Sequence, residues 1–249
     1  MQADTDSHAQ ESRAIWQLSH ELSQANDSLQ RLGHMVSHDL RGPLANMEAL
    51  LGLFDRENMG ASDHPDLLNL LGHAVGDLRQ HLDDLNDLLK SKHPSGQLWE
   101  DTDLTKEFHH VKHQLLNQLT QAKGTIDTCF EVISLHSVKL YVQSIVYNLL
   151  SNSIKYRDPS RELTVRFKTE ETEANVRIIV EDNGLGIDLK TNRERLFKPY
   201  TRLQHDGDGF GLGLYLVKSQ VEALNGWLEV ASKPGEGTSF TVVLPKKQP

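Results

Sequence analysis

At 249 residues, with a hydrophobic share of 37% and a charged share of 24%, the chain is long enough for one medium-sized domain plus a helical module. A formal net charge of −9, with no basic stripe to neutralise phosphates, excludes an ordinary nucleic-acid binder. A single cysteine, Cys129, excludes an internal disulfide and fits a reducing cytosol, and there is neither an apolar run approaching 18 residues nor an apolar leader, so the expectation is a cytoplasmic chain with no membrane segment.

Residues 1–14 are polar and aperiodic. From Ile15 the apolar positions Leu18, Leu22, Ala25, Leu29, Leu32 and Val36 follow steps of three and four, the spacing of a two-stranded coiled coil, so a homodimer is the default. Past Val36 the apolar positions are Leu40, Leu44, Met47, Leu51 and Phe54, a stutter that unwinds the supercoil and suits a four-helix bundle. Residues 55–65 read as a turn. Leu67, Leu71, Val75, Leu78, Leu82, Leu85 and Leu89 read as the second helix of a hairpin. Ser91-Lys92-His93-Pro94-Ser95-Gly96 ends the periodicity. The expected division is a leader and coiled-coil linker at 1–32, a helical hairpin at 33–92 and a second domain at 98–247.

That domain mixes periods. A short strand is expected near 98–104, a helix through Phe108, Val111, Leu115 and Leu119, and a strand over 125–133 with Ile126, Cys129 and Val132 turned partly inward, which makes Cys129 a core residue. His109 and His113 stand one helical turn apart, and exposed helix polarity is a better account of them than a metal. A helix over 138–156 follows, then a hairpin of 163–169 with 175–180 and an irregular stretch over 183–209. A helix over 212–224 and strands near 228–231 and 239–244 complete the pattern. Together with the hairpin the fold class is α plus α/β: a dimeric four-helix bundle, then a two-layer α/β sandwich with a mixed sheet.

Five strings stand out. In His38-Asp39-Leu40-Arg41-Gly42-Pro43-Leu44, a carboxylate beside an imidazole can fix its tautomer and take up its proton, and His38, two positions past the core residue Val36, points outward. The others are Asn148-Leu149-Leu150-Ser151-Asn152-Ser153-Ile154-Lys155-Tyr156, Asp182-Asn183-Gly184-Leu185-Gly186-Ile187, Gly209-Phe210-Gly211-Leu212-Gly213-Leu214, and Leu196-Phe197-Lys198-Pro199-Tyr200 with Arg202. Asn148 and Asn152 recur at helical spacing among Ile145, Leu149 and Ile154, which an exposed polar face does not explain. The second string lacks the third-position oxygen and closing glutamate of a calcium loop. The glycine string is not a dinucleotide fingerprint and follows no first βαβ unit.

In their order along the chain the strings resemble the sensor histidine kinases of two-component systems, over residues 30–246. The resemblance implies a dimerisation and phosphotransfer hairpin with His38 as phosphate acceptor assisted by Asp39, and an ATP-binding domain of the Bergerat type. It makes Asn152 the Mg²⁺ ligand, through an amide oxygen hard enough for that ion, with Asn148, Lys155 and Tyr156 beside it. Asp182 accepts from the adenine amine and rejects guanine, which presents a carbonyl there. Gly184 and Gly186 admit the base, while Gly209, Gly211 and Gly213 open a helix whose free N–H groups meet phosphate. Arg202 matches a phosphate-contacting lid arginine, and Thr238, in Gly235-Glu236-Gly237-Thr238, lies close to the adenine. The expected partner is the receiver domain of a response regulator. Gly42 departs from the family, which often has Thr or Asn there to hold the water that dephosphorylates the partner. Two rival readings remain: a non-catalytic dimeric scaffold, and an ATP-driven conformational machine of the wider Bergerat group, whose water-activating glutamate is missing from the asparagine helix.

Overall fold

The computed structural model describes residues 98–199, 201 and 211–246, together with helical positions 44, 45, 47–49, 51, 68, 70–72 and 74–76. The chain divides into two units, Met1–His81 and Leu82–Pro249. The expected coiled coil, the His38 string, the linker at 91–96 and residues 202–210 lie outside the described residues. The described positions on either side of the expected turn are helical.

In the second unit, β1 (Trp99–Asp103) and β3 (Ser134–Val138) form an antiparallel two-stranded ribbon. Asp103 ends β1 and caps α1 (Leu104–Gln114), its Oδ1 accepting from the Lys106 N–H at 3.0 Å, which satisfies one of the helix's orphan donors. α2 (Leu116–Gln121) follows after a break at Leu115. Next come β2 (Thr125–Phe130) and, beyond β3, α3 (Lys139–Lys155), β4 (Thr164–Glu171), β5 (Asn175–Asp182), the single-turn α4 (Leu189–Asn192), α5 (Gly213–Ala223), β6 (Trp227–Lys233) and β7 (Gly237–Pro245). The main sheet has the order β2-β4-β5-β7-β6, parallel only between β2 and β4. This is the mixed sheet expected.

Period-two burial fixes which way the sheet faces. Val165 and Phe167 of β4, Val176, Ile178 and Val180 of β5, and Phe240, Val242 and Leu244 of β7 point into one core. α1, α3 and α5 cover that face, with α3 packed against both other helices. α3 is apolar nearly all round, with Tyr141, Val142, Ile145, Val146, Leu149, Leu150 and Ile154 buried, as a central helix must be. Glu107, buried on α1, joins it to α3 through Lys139 Nζ at 3.2 Å and through the Gln143 amide. Phe108 sits 4.5 Å from Phe167 and 5.5 Å from Phe130 between ring centroids, within the range for favourable aromatic pairs.

Three expectations need correction. Cys129 is exposed: period two puts Ile126 and Phe130 on the core face and Cys129 on the other, whereas the inward set of Ile126, Cys129 and Val132 has a period of three that no strand can satisfy. β3 was not expected, because its partner β1 lies 35 positions away and the segment Ser134–Val138 has little local signal of its own. The stretch over 183–209 also contains α4, started by Asp188, whose carboxylate accepts from Lys190 N at 3.0 Å. His109 and His113 are both exposed.

Phe108→Ala is expected to destabilise this unit by about 3–5 kcal/mol, the usual result of emptying a fully buried aromatic site. Cys129→Ser should stay within about 0.5 kcal/mol of the parent, as for an ordinary surface exchange. Denaturant unfolding of both variants checks the pair. A Cys129→Ser loss comparable to that of Phe108→Ala would return Cys129 to the core.

Candidate functional site

Asp182 is the last residue of β5, and the alternation that buries Val176, Ile178 and Val180 turns its carboxylate to the same face. It lies opposite Thr238 on β7 and Val165 on β4. Three elements hold it. Its Oδ1 accepts from the backbone N–H of Gly184 at 2.9 Å and of Thr238 at 3.2 Å, and its Oδ2 lies 3.2 Å from Ser153 Oγ on α3. Burial pushes the carboxyl above its ordinary range. The Gly184 N–H, the Ser153 hydroxyl, the Thr238 N–H and the Arg161 charge oppose that shift without cancelling it.

The loops around this carboxylate crowd each other. Gly186 has φ +69°, and a Cβ there would come within 2.0 Å of the Lys233 carbonyl oxygen, so no other residue fits without moving the β6–β7 turn. Gly184 lies against the Tyr156 carbonyl. Thr238 is buried, its Oγ1 2.9 Å from Ser232 Oγ. Asp182, Gly184, Gly186 and Thr238 therefore meet at one place.

α3 carries the next part. Asn148 is buried and donates through Nδ2 to the Ser144 carbonyl at 2.9 Å and toward Ser144 Oγ at 3.4 Å. Its Oδ1 thus faces Gly213, the first residue of α5, where a Cβ would come within 2.7 Å of it. That glycine lets the opening turn of α5 lie directly against the asparagine, with Gly211 just ahead of it at φ +69°. Asn152 is half-buried one turn further along α3, next to Ser153. Lys155 is exposed in the last turn, its ammonium 5.2 Å from the ring centroid of Tyr156. His38, Asp39, Arg202 and Gly209 lie outside the described residues.

Sequence reasoning passed over Ser153, Ser144, Gln220 and Arg161. Ser153 had a usable signal, being a polar residue four positions after Leu149 on a stripe that is otherwise apolar. Gln220 of α5 donates to Ser144 Oγ at 2.9 Å, while its buried Oε1 has no partner. Gln220's partner is 76 positions away, and the two carbonyls that Arg161 binds are 23 and 74 positions away, so no local pattern marks either contact.

Chemically, an acceptor-only carboxylate with its donors fixed at one edge recognises an amine on a flat ring. Asparagine oxygens beside the start of a helix suit a cation together with phosphate. The residues therefore fit a magnesium-bound purine nucleotide. Because burial raises the Asp182 pKa, its contribution to stability is fully present only below the ordinary value of 3.8 and is lost as pH rises through the folded value, so at neutral pH the ionised group costs stability. Asp182→Asn is accordingly expected to melt no lower than the parent at pH 7, and higher if its amide keeps the Gly184 and Thr238 bonds, with the advantage gone below pH 3.8. A clear fall in melting temperature at pH 7 would contradict this assignment of the shift.

Residues 137–248 match the family model described as histidine kinase-, DNA gyrase B- and HSP90-like ATPase. The adaptive-response sensory kinase SasA of Synechococcus sp. is 28% identical over 252 aligned residues, which take in 97% of this chain and 66% of that protein. The chain spans 21–32% of the length of three other curated relatives. Among solved structures, histidine kinase AdeS of Acinetobacter baumannii superposes with a TM-score of 0.68 at 22% identity, covering 85% of this chain and 98% of that one. Histidine kinase ThkA, solved in complex with response regulator protein TrrA, gives a TM-score of 0.65 at 16% identity, covering 87% and 61%. With Asp182, Gly184, Gly186 and Thr238 meeting as described on a mixed sheet of this kind, the second unit carries an ATP-binding domain of the histidine kinase-, DNA gyrase B- and HSP90-like ATPase family, and the chain is similar to sensor histidine kinases over most of its length.

Proposed function

We propose that the chain uses ATP to phosphorylate its own His38 and passes the phosphoryl group to an aspartate in the receiver domain of a response regulator. The observation that carries this is the half-buried Asp182 carboxylate, fixed by Gly184, Thr238 and Ser153. It selects adenine, since guanine would oppose acceptor to acceptor. Asn152, with Asn148 behind it, holds Mg²⁺; the bound ion supplies charge neutralisation on the phosphates. Lys155 and Arg202 add positive charge to the same end, and Gly209, Gly211 and Gly213 leave N–H groups of the α5 start open to phosphate. Phosphoryl transfer needs mainly such positioning and neutralisation.

The imidazole nitrogen of His38 attacks the γ-phosphorus, the bond to the β-phosphate oxygen breaks, and ADP departs while Asp39 takes the ring proton. The receiver aspartate then attacks the same phosphorus, the P–N bond breaks, and the ring recovers a proton. ThkA's complex with TrrA supports a partner of that kind. A coiled-coil linker at 1–32, a dimerisation and phosphotransfer hairpin at 33–92 and the ATP-binding domain at 98–247 give the division of labour. Leu44, Leu51 and Val75 of the apolar stripes are about half exposed in the single chain, which supports pairing with a second copy into a four-helix bundle. Among the described residues no helix is long and apolar enough to cross a membrane, and a cytoplasmic site of action is part of the proposal.

Incubation with MgATP should place on His38 a phosphate that is labile in acid and stable in base, since protonating its nitrogen activates a P–N bond. His38→Gln should abolish it, Asp182→Asn should lose MgADP binding, and Asn152→Ala should lose Mg²⁺-dependent activity. Label that persists in His38→Gln, or that maps to Ser37, sinks the proposal. Because Gly42 has no side chain to hold a water, Gly42→Thr is expected to speed dephosphorylation of the partner. A parent rate equal to or above that of the variant contradicts the assignment.

A further inference from the structure

Arg161 has no part in the reading so far, yet it touches both loops that frame Asp182. It sits in the connection between α3 and β4, in a tight turn begun by Asp158. The Asp158 Oδ1 accepts from Ser160 N at 2.9 Å and from Ser160 Oγ at 2.6 Å, and the Arg161 N–H reaches the Asp158 carbonyl at 3.3 Å. This turn aims the guanidinium away from its own segment. Its Nη2 donates to the Gly184 carbonyl at 2.8 Å and to the Gly235 carbonyl at 2.7 Å, with Asp158 Oδ2 at 3.3 Å as counter-charge. An Nη2 has two hydrogens, so each loop takes one.

The two carbonyls belong to the walls of the site. Gly184 supplies one of the N–H groups that orient Asp182 Oδ1, and the turn at Gly235 leads within three residues to Thr238, which supplies the other. Single backbone bonds also link the segments, Leu185 N–H to the Tyr156 carbonyl at 3.0 Å and Gly235 N–H to the Leu185 carbonyl at 2.7 Å. The arginine adds charge-assisted bonds, about twice as strong as neutral ones, at the point where the loops face each other. Its side chain is only 36% exposed.

We propose that Arg161 is a positioning residue for base selection. By binding the Gly184 and Gly235 carbonyls with one nitrogen, it fixes the spacing of the two loops and so the aim of the two N–H groups that orient Asp182, and the preference for adenine over guanine depends on it. This rests on the nucleotide reading of Asp182. It adds that discrimination is set by a group that touches neither base nor phosphate, through a loop spacing that a loosened clamp would let drift.

The test measures MgADP and MgGDP affinity by calorimetry on the full chain, with melting temperatures and autophosphorylation kinetics alongside. Arg161→Met keeps the stem but neither hydrogen bond. It should bind MgADP about tenfold more weakly, the scale of losing a charge-assisted bond, while MgGDP affinity changes little and kcat at saturating ATP holds within about twofold. The preference therefore narrows. Arg161→Lys, whose ammonium can donate to both carbonyls, should recover part of it. Arg161→Gln is too short to span the loops and should behave like Arg161→Met, so it decides the matter if that variant folds poorly. An unchanged ratio of the two affinities in Arg161→Met or Arg161→Gln overturns the proposal, as does an equal loss of both nucleotides in step with a lowered melting temperature. Asp182→Asn in the same assay separates the two levels. If it binds MgADP like the parent, or the parent binds none, the nucleotide reading fails as well; if it loses MgADP while Arg161→Met does not, only the role of Arg161 is lost.

Discussion

Burial of α3 is the constraint on which the rest of this unit depends. Ile145, Leu149 and Leu150 are all but inaccessible, and burying each contributes about 1.5–3 kcal/mol. The helix therefore cannot slide or roll on the sheet without losing several such contributions. Ser144, Asn148, Asn152 and Ser153 are carried on the same rigid rod, so their positions relative to Asp182 and to the start of α5 are set by apolar packing. The site is precise because its polar groups are attached to the least movable element of the fold.

That precision works against stability in places. Burial disfavours the charge of the Asp182 carboxylate, and three donors are aimed at it from α3, β7 and its own loop. Gln220 commits its amide nitrogen to Ser144 and leaves its oxygen buried without a partner, a desolvation cost of about 1–3 kcal/mol for an unmet acceptor. Groups like these do not improve a core. They are retained where a fixed dipole or an acceptor is worth more to binding than to folding. The glycines that let α5 lie against Asn148 and the Gly186 loop lie against Lys233 are part of the same compromise, since each gives up side-chain packing for a close backbone approach.

Much of this was legible in the sequence because periodicity and local strings report local physics. The strands β4, β5, β6 and β7 and the helices α3 and α5 emerged from apolar spacing, and Asn148 and Asn152 were visible as polar residues out of place among apolar neighbours, whereas Asp182, Gly184, Gly213 and Thr238 were marked by the resemblance of their strings to those of sensor histidine kinases. What escaped was non-local. β3 owes its existence to β1, and Arg161 owes its place to Gly184 and Gly235, so nothing in either neighbourhood marks them. Cys129 failed for a different reason: an apolar-looking residue was assigned to the core by type, when strand parity with Ile126 and Phe130 puts it on the other face.

The proposed function divides the chemistry between the two units. Of the described histidines in the ATP-binding unit, His109 packs on Phe108 and Phe130, His110 bonds Gln114, His113 is exposed, and His136 pairs with Asp101 on the β1–β3 ribbon. Among the described residues no histidine is hydrogen-bonded to Asp182, Asn148 or Thr238. Phosphoryl transfer tolerates this separation because holding the donor and supplying the nucleophile are independent tasks until the two meet in line. A site that carried its own nucleophile would be primed to react whenever nucleotide bound. A nucleophile supplied from outside this unit, as proposed for His38, makes its approach a step that a signal can gate.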